Sequence, residues 1–100
     1  MNITENTEAK AFIIKGNKSR PYFKVGVKSD FFEKSKPYVI QFNGEKLVFS
    51  RPTLDDKRYI RTATQDNYGW YQFSVNKQLP IRTFSSEDIE ITEDEFIIYI

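Results

Sequence analysis

One pattern of apolar residues is written twice along this chain, and that repetition limits the fold more than any other feature. Phe23, Val25, Val27 and Phe31 are matched by Tyr71, Phe73, Val75 and Leu79 at an offset of 48 residues. Ile40, Phe42, Leu47 and Phe49 are matched by Ile89, Ile91, Phe96 and Ile98 at an offset of 49. Upstream, Phe12-Ile13-Ile14-Lys15 stands against Tyr59-Ile60-Arg61. The turns fall at corresponding places and the polar positions hardly match, as in a duplicated core whose surface has diverged. Chance alternation in a β-rich chain is the plain alternative, and the coincidence of the turns weighs against it.

Within each half the spacing predicts mostly strands. Ala11–Ile14 is a first strand, followed by a turn cluster at Gly16-Asn17-Lys18-Ser19. Tyr22–Val27 alternates with a period of two, which marks a half-buried strand. Ser29-Asp30 offers an N-cap for a short helix over Phe31–Lys36, stopped by Pro37. Tyr38–Phe42 and Lys46–Ser50 form a hairpin around Asn43-Gly44, residues that tolerate a positive φ. After the linker Arg51–Asp56, Arg58–Ala63 is a strand and Gln65–Gly69 a turn. Trp70–Val75 is the next strand, and Gln78–Phe84 is a crossing segment containing Pro80. Ile89-Glu90-Ile91 alternates, Thr92-Glu93-Asp94 turns, and Phe96–Ile100 is an apolar strand.

The expected architecture is mostly β with short helices. A mobile arm over residues 1–9 precedes one domain, 10–100, made of repeat units 10–52 and 57–100. One such unit cannot bury its apolar face alone. Two units interlocked about a pseudo-two-fold axis can, giving an intertwined, barrel-like domain. One hundred residues leave no room for a second core, and nine Phe, six Tyr and one Trp supply a compact one.

The sequence contains no Cys and no His, so thiolate nucleophiles, disulfides and imidazole bases are excluded from the chain. No apolar run approaches the length of a membrane span. Met1–Lys10 is polar and acidic, unlike a signal or transit peptide, and the expected compartment is the cytoplasm. Net charge is +1 but unevenly spread: all 15 Lys and Arg lie in residues 1–82 against 8 acids, whereas residues 83–100 hold 6 acids and no base. Such a chain can present two faces of opposite sign.

A strand, turn, strand, short helix, strand, turn, strand unit of this length resembles the AbrB/MazE-type swapped-hairpin domain. Two in one chain look like the tandem arrangement of MraZ-like proteins, with double-psi and RIFT-type cradle-loop barrels as close cousins. The family's apolar-x-apolar-Pro step reads Val25-Gly26-Val27-Lys28 and Phe73-Ser74-Val75-Asn76 here, without the Pro. The resemblance implies a DNA-binding transcriptional regulator or antitoxin-like protein that meets duplex DNA with its basic first hairpins. By matched position these residues are Lys15, Lys18, Arg20 and Lys24 in unit one, and Lys57, Arg58 and Arg61 in unit two. Cations on a rigid hairpin draw in phosphates by counterion release, and Arg can also read a base edge with two donors. The plain alternative is that they keep exposed strands soluble and guard sheet edges.

Tyr22, Tyr68 and Trp70 interleave with this basic set and suit base stacking on a single strand, as in an OB-like barrel, although core packing is the commoner use of such rings. Trp70 lies on the face opposite Tyr71, Phe73 and Val75, and is expected outward or at an interface. The alternative function is a protein-interaction module, a small inhibitor or adaptor using Trp70, sheet edges, or the acidic hairpin with Glu90, Glu93 and Asp94. Catalysis is not expected. Asp55-Asp56 sits in a turn, where Asp serves the backbone, and Asp30 with Glu33 reads as capping. The chain has no phosphate-cradling Gly loop or nucleophile elbow. No cofactor or metal is expected, and the chain is either a monomeric pseudo-dimer or a homodimer.

Overall fold

Alternation in the two halves resolves into paired strands in a computed structural model that describes residues 9–16 and 23–100. The strands are β1 (Lys10–Lys15), β2 (Phe23–Lys28), β3 (Pro37–Phe42), β4 (Lys46–Ser50), β5 (Ile60–Thr62), β6 (Thr64–Gln65), β7 (Tyr71–Val75), β8 (Arg82–Phe84), β9 (Ile89–Ile91) and β10 (Glu95–Tyr99). They form two five-stranded antiparallel sheets. The first is ordered β6-β7-β2-β1-β8 and the second β5-β3-β4-β10-β9. The chain is therefore mostly β, as its sequence implies. Among the described residues no helix is long and apolar enough to cross a membrane.

Each half contributes its strands to both sheets, and the central ladders join the halves. In the first sheet Phe23, Val25 and Val27 pair with Val75, Phe73 and Tyr71. In the second, Leu47, Val48 and Phe49 pair with Ile98, Ile97 and Phe96. The hairpins also correspond. Phe42 faces Leu47 across one turn, and Ile91 faces Phe96 across the other. The two turns are built alike: Asn43 Oδ1 accepts from the N–H groups of Glu45 and Lys46, and Thr92 Oγ1 accepts from those of Asp94 and Glu95. Both are local side-chain-to-backbone turns that satisfy donors the hairpin leaves open.

Two expectations need correction. The first is the short helix over Phe31–Lys36, where the chain makes only turns. Ser29 does act as a cap, its Oγ accepting from Phe31 N–H at 3.1 Å, but no helical run follows. Successive residues of a helix do not face the same way, yet Phe31 and Phe32 are both buried, at 7% and 2% exposure. Ser35 then takes φ of 66°, a left-handed conformation that ends any helix. The helical geometry is given up so that two adjacent rings can enter the core.

The second correction concerns closure: the sheets do not close into a barrel. A single stretch bends between them at Ala63, whose N–H donates to Lys36 O and whose carbonyl accepts from Ser35 N–H, both at 2.9 Å. Before the bend β5 pairs with β3; after it β6 pairs with β7. Gln78–Phe84, expected only as a crossing segment, supplies β8, which pairs with β1. A 3-10 turn at Ser86–Asp88, capped by Ser85, then leads into β9 in the other sheet.

The core lies between the inner faces. Ile13, Val25, Val27, Phe73 and Val75 come from the first sheet, and Tyr38, Ile40, Leu47, Phe49, Phe96 and Ile98 from the second. Phe32 is the hub, with ring centroids 4.9–5.9 Å from those of Tyr38, Phe49, Tyr71, Phe73 and Phe96. Ala9, placed at the end of the expected arm, is buried in this core.

Candidate functional site

The two sheets differ in charge. The strands of the first carry Lys10, Lys15, Lys24, Lys28 and Arg82 and no acid. Those of the second carry Lys46 and Arg61 together with Glu90 and Glu95. Strand alternation sorts the cations further. Odd-numbered Val25 and Val27 point into the core, so Lys24, Gly26 and Lys28 line the outer face of β2. On β1 the outward set is Lys10, Phe12 and Ile14, between buried Ala11 and Ile13. Register places Lys10 beside Lys28, Phe12 beside Gly26 and Ile14 beside Lys24. Across β2, Gly26 meets Gln72 and Lys24 meets Ser74.

The middle of this outer face is aromatic. The Phe12 ring lies over Gly26, where a Cβ would overlap it, so only glycine admits the ring. Phe12 reaches Trp70, with ring centroids 5.0 Å apart and tilted by 55°, and Lys28 Nζ sits 5.8 Å from the Trp70 ring centroid. Trp70 is half-buried, and Tyr68, two residues earlier, is 79% exposed.

Asp66 fixes the turn that carries these two rings. Its Oδ1 accepts from the N–H groups of Tyr68 and Trp70 at 2.8 and 3.0 Å, and its Oδ2 accepts from Gln72 Nε2 at 3.1 Å. Gly69 takes φ of +89°, which a side chain would resist. Desolvation pushes the Asp66 carboxyl upward. The donors from Trp70, Tyr68 and Gln72, with the charge of Lys28, outweigh it and hold the group below its ordinary value.

The expected cationic residues do not form one set. Lys24 joins the outer face of the first sheet. Lys15 pairs with Phe23 and so lies on the opposite side of its strand, exposed at the strand end. Lys18, Arg20 and Tyr22 lie outside the described residues. Lys57 is exposed in the linker before β5. Arg58 is held by Asp56, its Nε donating to Oδ1 at 2.8 Å and its Nη2 to Oδ2. That bond drops the Asp56 carboxyl far below the carboxylate range. Arg61 stacks on Tyr59 at 4.1 Å and donates to the carbonyls of Ser74 and Ile60 at 3.2 and 3.0 Å. Sequence reasoning missed Lys10 and Lys28, although their even spacing with Lys24 on alternating strands was the available signal.

The acidic candidates sit on the second sheet. Glu90 accepts from the Tyr99 hydroxyl, which it pushes above its ordinary pKa. Glu93 and Asp94 are exposed at the β9–β10 turn, and the Glu93 carbonyl accepts from Arg51 Nη1 at 3.2 Å. Trp70, immediately before β7, packs on the first sheet through Phe12 and does not join them. No group of three or more carboxylates able to hold a metal occurs among the described residues. Compared with family models, curated proteins and solved structures, the chain matches none.

Proposed function

We propose that this protein binds nucleic acid, gripping phosphates with the outer face of its first sheet. The observation that carries the reading is the set Lys10, Lys24 and Lys28 brought together on that face by strand register, in a sheet whose strands hold no acid. A rigid cationic face releases condensed counterions when it meets a phosphate backbone, and among the described residues none of these three lysines forms an ion pair of the kind that holds Arg58 to Asp56. Lys10, Lys24 and Lys28 replace the larger first-hairpin set as the contact residues. A cytoplasmic DNA-binding protein is the biological form this reading favours.

The same proposal includes duplication. Phe73 follows Val25 by 48 residues and Ile97 follows Val48 by 49, the offsets that align the two halves of the sequence. Each central ladder is therefore centred on a pair of equivalent residues, as a two-fold axis between copies requires. Two intertwined copies make one sheet of each kind, so the cationic face is not repeated on the other side.

The test is retention of a labelled nucleic acid by the purified chain as salt rises. Affinity should fall steeply between about 50 and 200 mM salt. The Lys24→Gln, Lys28→Gln double variant should flatten the log–log slope by about 2. Absence of binding at low salt would refute the proposal.

A further inference from the structure

Resting on that reading, we infer that the nucleic acid on this face is single-stranded, with an unpaired base stacked on Trp70. A duplex offers phosphates and groove edges, while its base faces are covered by their neighbours. Lysines alone would serve it. The outer face instead sets an indole in their midst: Trp70 is half-buried, packs on Phe12 with centroids 5.0 Å apart, and has the Lys28 ammonium over its ring, 5.8 Å from the centroid. A base that takes the place of the flexible Lys28 side chain on the indole would bring its own phosphate towards that cation.

Preorganisation strengthens the assignment. A half-buried tryptophan on a loose loop loses conformational entropy on stacking. Here three hydrogen bonds to Asp66 pin the turn, and the Phe12 ring, admitted by Gly26, backs the indole from below. Tyr68 stands on the same turn at 79% exposure, an aromatic surface placed to meet a neighbouring base. Charge complementarity selects the occupant, because an apolar protein partner would have to cover Lys10, Lys24 and Lys28 without offering them acids, whereas a polynucleotide brings a phosphate with every base.

Trp70 is the only tryptophan in the chain, so its emission reports on this site alone. The full chain is titrated with an oligothymidylate and, separately, with a mixed-sequence duplex of equal length. The expected result is quenching of Trp70 by the single strand and tighter binding of it than of the duplex. Trp70→Ala should weaken single-strand binding roughly tenfold or more, read by anisotropy of a labelled oligonucleotide. It should leave the weaker duplex binding nearly unchanged. Trp70→Phe, which keeps a ring for Phe12 to pack on, should restore much of the loss. It also separates stacking from a folding defect, with circular dichroism checking both variants. Equal affinity for both DNA forms with unchanged emission would overturn the stacking assignment and leave the phosphate-binding reading standing. Retention of neither form at low salt would overturn both.

Discussion

Gly26 shows how one residue joins the fold to the candidate site. Its missing side chain lets Phe12 lie across β2 and support Trp70. Gly26→Ala forces the ring aside, and such overpacking typically costs about 1–3 kcal/mol. A lower midpoint in thermal unfolding and a red-shifted Trp70 emission are expected. An unchanged emission maximum would show that Phe12 does not shield the indole. The ionisable residues set the pH range of stability. Asp66 and Asp56 have folded values below the ordinary 3.8, so their contribution is complete above that pH and is lost as pH falls through the lower folded values. Tyr38, raised by burial, and Tyr99, raised by its bond to Glu90, have folded values above 10.0. Their contribution is complete below pH 10 and is lost as pH rises past it. Denaturant midpoints should therefore be flat between these limits and fall outside both, and Asp66→Asn should reduce the acid-side fall. An acid limb identical in that variant would remove Asp66 from the account.

Among the elements, the segment between β2 and β3 carries packing that its local sequence signals do not show. Phe32 enters the centre of the core from a run of turns, touching rings from both sheets. Phe32→Ala should cost about 3–5 kcal/mol, checked by chemical denaturation, while the neighbouring Glu33→Ala, on an exposed side chain, should cost little. Similar losses for the two would place the ring outside the core. The strands were legible because a half-buried sheet imposes a period of two. Val25, Val27, Phe73 and Val75 announced their inward face, and by the same parity Trp70 announced its outward one. The helix was misread because capping at Ser29 is local, whereas the pull of the core on two successive rings is not. The backing of Trp70 by Phe12 was also hidden, since it depends on the pairing of Phe12 with Gly26 across β1 and β2. Capture of Arg58 by Asp56 depends likewise on how the linker turns, which residue type alone does not specify.

The interdependence of the halves is a property of the whole molecule. Both sheets are sewn together by ladders between one half and the other, β2 with β7 and β4 with β10, and β1 and β3 each gain a further partner from the second half. Removing residues 53–100 would leave β1–β2 and β3–β4 as separate two-stranded hairpins, with Val25, Leu47 and Phe49 uncovered. Hairpins of that size are marginal in water, and the rings around Phe32 would lose Tyr71, Phe73 and Phe96. A cut in the exposed Thr53–Asp55 stretch of the linker breaks no strand. Fragments 1–52 and 53–100, made separately, should therefore lack the near-ultraviolet dichroism of fixed aromatic packing at micromolar concentration. Equimolar mixing should restore it together with the Trp70 emission of the intact chain, because the lost ladders form between fragments as readily as within one chain once association is supplied. A monomeric single fragment with native-like aromatic signals would refute this, since it would mean that one half covers its own apolar face and that the central ladders merely dock two finished domains.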